Sequence, residues 1–395
     1  MKKTTGDRIG AIAGDLACSE SMKATLDLFA ALGSKNLDCR PDGAKIGGGA
    51  RQAYLFNSKI EGIDEADAIL LIGTNPRWEA PVLNARLRRA WLRGARIGVI
   101  GETRDLSYEV EHLCAGPQSL AELASGKGDF AKALMGAKRP MVIVGQGALA
   151  RDDGAAVLHA IGRIAKEWGI VKADWNGFNV LHSAAARVAG LDLGFLPLKD
   201  ASGQGGMDAA AMVDAANFGR LDTLFLLGVD EMKLPPAGAS TVIYLGSHGD
   251  NGASRADIIL PAAAYAEKNA TWVNTEGRVQ YGRRAAFPKG EAREDWTILR
   301  ALSALLNKTL PYDDLAALRA KMIADHPSFG AVDYAPGATD AFDPSAIGAE
   351  GKLSDAPFVT PIEDFYFTNP IARASRIMAE CSREARGEPK LRAAE

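Results

Sequence analysis

Two apolar runs of one design constrain this chain more than any other feature. Asp67-Ala68-Ile69-Leu70-Leu71-Ile72-Gly73 and Asp222-Thr223-Leu224-Phe225-Leu226-Leu227-Gly228 each set an acidic residue before an unbroken apolar stretch and a glycine after it. Neither run alternates polar with apolar residues. Both therefore read as strands buried on two faces, as in parallel sheets covered by helices. A further strand follows each, Arg96 to Gly101 (RIGVIG) and Thr241-Val242-Ile243-Tyr244-Leu245-Gly246. Between the first pair, Leu83, Leu87 and Trp91 share one helical face, with Arg86, Arg88, Arg89 and Arg93 mostly elsewhere. That is a βαβ unit with a right-handed crossover. Its repetition predicts an α/β fold of two Rossmann-like, doubly wound units related by duplication and facing one another across a cleft. Ligands of such sheets bind beyond the carboxyl ends of the strands, where Gly73 lets a backbone approach closely.

Other segments extend the pattern. Ile9 to Gly14 reads as a strand, followed by a helix from Glu20 to Leu32 that Gly33 closes. Residues 139–145 (RPMVIVG) are another strand. The helix after it carries Val157, Ile161, Ile164 and Trp168, with Asp152 and Asp153 as natural caps. Gly145-Gln146-Gly147 is only part of a dinucleotide fingerprint. The glycine-rich stretch between Cys39 and Asn57 follows no clear strand, so it reads as a connection rather than a phosphate cradle. The stretch Ser202 to Met207 fits an anion-holding loop or a flexible bend. His182 is a polar core or edge residue. His248, Asp250 and Asp257 lack the spacing of a dedicated metal site and suit capping and turns. The expected units are 1–150, 151–310, a poorly ordered linker over 311–361 and a C-terminal anchoring helix with a frayed end over 362–395. In the last, Asn369 or Thr368 caps a helix whose first position is Pro370.

Composition excludes several classes. A net charge of −3 with 24% charged residues suggests no nucleic-acid partner. No apolar run approaches the ~20 residues of a membrane helix. Cys18, Cys39, Cys114 and Cys381 stand far apart and form no ligand cluster, so neither zinc nor iron–sulfur ligation is expected within this chain.

The densest stretch runs from Asp257 to Leu299. It holds a short strand stopped by Pro261, a turn at Asn274-Thr275-Glu276-Gly277, and a helix with Trp296, Leu299, Leu302 and Leu306 at helical spacing. Its pattern, ILP…E…NTEGR…Q…PxGxAxxDWxI, resembles the core signature of the molybdopterin oxidoreductases. Residues 246–278 (GSHGDNGASRADIILPAAAYAEKNATWVNTEGR) resemble more closely the large, G-type iron–sulfur subunit of NADH–quinone oxidoreductase, respiratory complex I. The motif at residues 369–375 (NPIARAS) is similar to the end of that family.

The resemblance implies the molybdopterin oxidoreductase superfamily fold with an extended C-terminal tail, kept as a non-catalytic assembly domain in the peripheral arm of complex I. Under it, the chain is a C-terminal portion with no active site and no cofactor of its own. The 2Fe-2S and 4Fe-4S clusters are expected in an N-terminal cysteine-rich segment. Implied partners are other peripheral-arm subunits, including the NADH-oxidising flavoprotein subunit, without a direct membrane span. The implied location is the cytoplasmic face of the bacterial inner membrane or the mitochondrial matrix side. The alternative is a fragment of an active molybdopterin-dependent oxidoreductase.

In the superfamily a GxNP loop and a following acidic residue address the cofactor's nucleotide. Here these stand as Gly73-Thr74-Asn75-Pro76 and Gly101-Glu102-Thr103-Arg104, the second departing from the usual Asp-Pro-Arg. Gly73, Asn75, Glu102, Asn274, Glu276, Arg278 and Gln280 are thus expected to mark a vestigial pocket satisfied by protein hydrogen bonds, with Glu276 and Arg278 as an ion pair.

Overall fold

A computed structural model describes residues 4–199, 205–232, 234, 238–336 and 342–388. The strands are β1 (Ile9–Ala13), β2 (Asn36–Asp38), β3 (Ala68–Ile72), β4 (Arg96–Ile100), β5 (Glu111–Cys114), β6 (Pro140–Val144), β7 (Val171–Lys172), β8 (Trp175–Asn176), β9 (Phe178–Val180), β10 (Thr223–Leu227), β11 (Thr241–Gly246), β12 (Ile258–Pro261), β13 (Ala270–Val273) and β14 (Val279–Gly282). Two five-stranded parallel sheets carry the fold. The first is ordered β12-β11-β10-β1-β2 and the second β5-β4-β3-β6-β9. Both apolar runs stand at the centre of a sheet. β3 and β10 are buried along their whole length, as continuous apolar runs in parallel sheets must be.

In each sheet the strand order reverses once. The reversal falls between β1 and β10 in the first sheet and between β3 and β6 in the second. These are the switch points at which an open α/β sheet presents a crevice.

The pairing differs from the expectation of contiguous units at 1–150 and 151–310. β1 lies in register against β10, Ile9 opposite Thr223, so the first sheet joins both ends of the segment and the second sheet is inserted between them. A buried apolar strand carries no local mark of its partner, and this partner is far along the chain. The glycine-rich stretch after Cys39 does follow a strand, β2, which is short and reads NLD without an apolar run. The helix Gly154–Glu167 forms as expected, but Asp153 makes no side-chain cap. Its carboxylate instead takes Arg151 Nε at 2.7 Å and the Ser354 backbone N–H at 2.8 Å.

The segment 311–361 also differs from a poorly ordered linker. It contains the helix Leu315–Asp325, and Leu318, Met322, Phe329 and Phe358 are each at most 1% exposed. A few deeply buried anchors hold a segment otherwise poor in large apolar groups. Residues 337–341 of this segment and 389–395 of the expected frayed end lie outside the described residues. So do residues 202–204 of the Ser202–Met207 stretch. Met207 N–H, from its described part, bonds Asn36 Oδ1 at 3.0 Å. Asn369 caps the helix Pro370–Arg373 by accepting from Ala372 N–H, as the sequence predicts.

Candidate functional site at the two switch points

The second sheet's switch point is built from two exits carrying three glycines. Gly73 leaves β3 with φ +58°, and a Cβ there would lie 2.5 Å from Ala148 N. Gly145 and Gly147 leave β6. A Cβ on Gly145 would lie 2.6 Å from Gly73 O, and one on Gly147 would lie 2.3 Å from Val359 O. The glycines thus permit close backbone approach, as in a nucleotide cradle. At Gly73 and Gly145 the backbone that approaches is that of the two exits themselves, and at Gly147 it is also the chain's own C-terminal segment.

That segment is held at several points. Phe358 N–H donates to Ala115 O at 2.8 Å beyond β5, and the Phe358 ring sits under the Arg151 guanidinium at 5.1 Å. Arg151 Nη1 donates to the carbonyls of Ala356 and Pro357 at 3.0 and 2.9 Å. Thr360 N–H donates to Glu102 at 3.1 Å, and Thr360 Oγ1 donates to Glu79 at 3.1 Å. Glu79 also accepts the Asn75 backbone N–H and the Thr74 hydroxyl, each at 2.7 Å. Burial pushes the Glu79 carboxyl above its ordinary range, against those hydrogen bonds. Asn75 Oδ1 and Gln146 Oε1 are buried at the same crevice without a partner.

His182 borders it, its Nε2–H donating to Tyr54 O at 2.7 Å, which leaves Nδ1 facing Gln146 Nε2 at 3.4 Å. Burial lowers the His182 pKa to about 4, with the Arg187 charge adding to the effect.

At the first sheet's switch point β1 and β10 exit side by side, and a Cβ on Gly14 would lie 2.2 Å from Gly228 O. The Glu231 carboxylate accepts the N–H of Asp15 at 3.3 Å and of Asp230 at 3.0 Å. Burial raises the Asp15 carboxyl far above its ordinary value, and the neighbouring Glu231 raises it further. The short helix Pro370–Arg373 closes this end as well. Arg373 pairs with Asp250 and donates to Phe367 O at 3.2 Å and Asp230 O at 3.4 Å. A cavity of about 50 Å³ remains, lined by residues that include Leu16, Ala17, His248, Lys268, Asp295 and Ile371. That holds a few water molecules, far short of the ~300 Å³ at which small-molecule pockets begin. On its wall, Lys268 and Asp295 form a buried ion pair at 2.6 Å.

Six of the seven sequence-predicted residues therefore fall in two places. Gly73, Asn75 and Glu102 gather at the ends of β3 and β4. Asn274, Glu276 and Arg278 form the turn between β13 and β14, which clips onto the edge of the second sheet. Asn274 Oδ1 accepts the N–H groups of Glu276 and Arg278 at 3.2 and 2.9 Å. Glu276 accepts Ile60 N–H at 3.0 Å and Arg278 Nε at 2.9 Å. Thr275 O takes Phe56 N–H, and the Thr275 hydroxyl donates to Val180 O at the end of β9. Gln280 faces solvent on β14 and joins neither group.

Among the described residues no group of three His, Cys, Asp or Glu is placed to hold a metal. Asp257 accepts Val242 N–H, and Asp250 is taken by Arg373. Sequence reasoning missed Glu79, Gln146, Thr360, Asp15 and Glu231. The available signal was a glutamate shortly after the exit glycine of each central strand, Glu79 after Gly73 and Glu231 after Gly228. The crevices do not fit a pterin dinucleotide. The Asn75 N–H is already taken by Glu79 and those of Asp15 and Asp230 by Glu231, and residues 356–373 pass over both exits.

The family described as molybdopterin oxidoreductase matches residues 1–305, and the C-terminal family of the G-type subunit of NADH-ubiquinone oxidoreductase matches residues 331–381. The mitochondrial NADH dehydrogenase [ubiquinone] iron-sulfur protein 1 of Solanum tuberosum is 40% identical over 384 residues, which are 97% of this chain and 50% of that protein. The mitochondrial NADH-ubiquinone oxidoreductase 78 kDa subunit of Neurospora crassa is 41% identical over 407 residues, 98% of this chain and 51% of that protein. The chain spans about half the length of these curated relatives. Among solved structures, a chain of the formyltransferase/hydrolase complex from Methylorubrum extorquens is similar with a TM-score of 0.52. It is 18% identical, and the match covers 76% of this chain and 92% of that one, which bears on the fold alone.

Proposed function

This chain belongs to the molybdopterin oxidoreductase family, and from that premise we propose that it is a non-catalytic structural domain of the iron–sulfur subunit of NADH–quinone oxidoreductase. In this reading it supports electron transfer from NADH to quinone by the whole of complex I and carries no electrons itself. One observation carries the reading: the C-terminal segment crosses from the second sheet's crevice, at Val359 and Thr360, to the first sheet's, at Arg373. An enzyme of this family must open that space to its cofactor. Here the space is used to hold the two sheets and the tail together. The similarity of residues 331–381 to the C-terminal part of the G-type subunit supports the same reading, because that stretch includes the whole crossing segment.

The finer assignments belong to this proposal. The 2Fe-2S and 4Fe-4S clusters lie in the part of the longer relatives that this chain does not span. The neighbours are peripheral-arm subunits, among them the NADH-oxidising flavoprotein. The proposed place is the peripheral arm, at the cytoplasmic face in bacteria or the matrix side in mitochondria. No described helix is long and apolar enough to cross a membrane. Asn274, Glu276 and Arg278 act as a structural clip, and Gly73, Asn75 and Glu102 are remnants of a cofactor loop.

The test is affinity purification of the full-length protein from its native membranes, with metals measured on the product. Co-purification of a flavoprotein with NADH-oxidising activity, iron present and molybdenum absent, is expected. Stoichiometric molybdenum without that partner would favour the molybdopterin-dependent enzyme instead.

A further inference from the structure

The first sheet ends in an edge that the fold leaves bare. β12 begins Ile258-Ile259-Leu260, yet Ile258 and Ile259 are 46% and 54% exposed, beside a strand, β11, whose middle is buried. Successive residues of a strand face opposite sides of the sheet, so this edge is uncovered on both. Further along it, Arg293 N–H donates to Pro261 O at 3.2 Å and Ala263 N–H donates to Arg293 O at 2.8 Å. The outer edge of β12 therefore accepts an extended segment, and among the described residues no strand continues that pairing over Ile258 and Ile259. Alternate amides of such an edge face outward, ready to pair with another polypeptide.

A basic, aromatic stretch borders the same edge. Residues 280–293 hold Arg283, Arg284, Lys289 and Arg293 against the single carboxylate of Glu291, a local charge of +3 in a chain of net charge −3. The stretch is pinned to the body: Ala285 and Ala286 N–H donate to Ala266 O at 2.8 and 3.1 Å, and Arg284 N–H donates to Asn269 Oδ1 at 3.1 Å. Phe287 nevertheless stands 78% exposed, with the Arg284 guanidinium 4.6 Å from its ring centre. Among the described residues Arg283, Arg284 and Lys289 form no ion pair, and Arg293 reaches only Glu291, at 3.7 Å. Neighbouring carboxylates are turned to the chain itself, Glu267 to Ala264 N–H and Glu294 to the Trp296 indole N–H. None of Arg283, Arg284, Phe287 and Lys289 lines the cavity at the first switch point.

We propose that this surface docks an acidic, extended segment of a partner protein, which pairs with the bare edge of β12 and sets its carboxylates against Arg283, Arg284 and Lys289. Strand addition supplies main-chain hydrogen bonds, and the flanking side chains supply selectivity. Phe287 beside Arg284 is the anchor, an aromatic and an arginine being the side chains that dominate interface energies. A lipid surface would meet the cations but leave the edge of β12 unpaired, so the two observations together favour a polypeptide. The inference stands on this edge and its charges and does not require membership of complex I. An assembly experiment and the binding experiment below can therefore fail separately.

The test titrates the whole chain into a dye-labelled heptapeptide alternating glutamate with valine, read by fluorescence anisotropy. A lysine–valine heptapeptide and phosphatidylcholine vesicles containing phosphatidylserine serve as competitors for the interpretation. Saturable binding of the glutamate peptide alone is expected, weakened at least roughly tenfold by Arg283→Glu with Arg284→Glu and weakened by added salt. Slower amide exchange at residues 258–260 should accompany binding. Should that charge-reversed chain not fold, Lys289→Glu with Phe287→Ser makes the same comparison. A folded unaltered chain that binds no glutamate peptide, equal binding of the lysine peptide, or undiminished binding after charge reversal would overturn the proposal. Vesicle binding that charge reversal abolishes, without peptide binding, would assign the patch to lipid and overturn it as well. In the native assembly, carbodiimide coupling should join Lys289 to an aspartate or glutamate of another polypeptide, located by mass spectrometry. Coupling confined to its own polypeptide, or none, would reject the docking site.

Discussion

Phe358→Ala measures how firmly the C-terminal segment belongs to the body of the protein. The ring is 1% exposed, and removing a fully buried phenylalanine costs about 3–5 kcal/mol through lost transfer energy and the cavity left behind. Its surroundings cannot readily collapse into that cavity. Phe358 N–H is bonded to Ala115 O, and Arg151 grips the two preceding carbonyls. The full loss is therefore expected in equilibrium denaturation, read as a lower midpoint at an unchanged slope. Amide exchange should rise over residues 356–360 in the variant, while the unaltered chain protects them to nearly the global stability. A loss below about 1 kcal/mol, or rapid exchange of these residues in the unaltered chain, would refute the reasoning. Either result would mean that the segment lifts off by itself.

Other perturbations reach the same framework. Arg278→Ala should destabilise by about 1–2 kcal/mol, because Glu276 stays buried but keeps its bond from Ile60 N–H; unchanged thermal stability would reject the clip. Burial raises the Glu276 carboxyl, but the hydrogen bonds from Ile60 and Arg278 outweigh it and hold the group below its ordinary range. Its contribution is therefore present above the ordinary carboxyl pKa and is lost as pH falls through the lowered one. In Arg278→Ala that loss should move to higher pH in an acid titration of stability. Lys268→Ala leaves the buried Asp295 carboxylate with the Ser21 hydroxyl but no cation and should cost about 3–5 kcal/mol, whereas Lys268→Met with Asp295→Leu should cost less than the single change; a single-variant loss under about 1 kcal/mol would contradict a buried pair. With His182 lowered to about 4, the unfolded chain binds a proton that the folded one refuses between that value and about 6.5. Stability should thus fall as pH drops through this window, by no more than roughly 3 kcal/mol and less where solvent reaches the ring. His182→Gln should flatten that slope, and an unchanged slope would assign it elsewhere.

Much of the scaffold was legible because burial on two faces leaves an unmistakable mark: β3, β6, β10 and β11 are uninterrupted apolar runs ending at glycine or just before it. Pairing was not legible. Ile9–Ala13 is as apolar as any of them, and only the folded chain places it beside β10 rather than near β3. Short strands escaped for a different reason. In β2, Asn36 and Asp38 are buried by hydrogen bonds rather than by apolarity, so no hydrophobic period exists to be read. The turn at Asn274–Arg278 announced itself through turn-forming residues, and its ion pair followed from the spacing of Glu276 and Arg278. Glu79 and Thr360 were invisible as a pair. Each is an ordinary polar residue in its own neighbourhood, and their meeting depends on a long return of the chain across both sheets. The four anchors of residues 311–361 were masked by the prolines, glycines and acidic residues around them.

The most direct measurement of the central claim is an experimental density map of this polypeptide within its native assembly, inspected beyond β3 and β6. The account predicts continuous main chain through residues 356–360, with Val359 O against Gly147 and Thr360 against Glu79. Density for a pterin or a nucleotide between Gly73 and Gly147, with the C-terminal segment displaced, would contradict it.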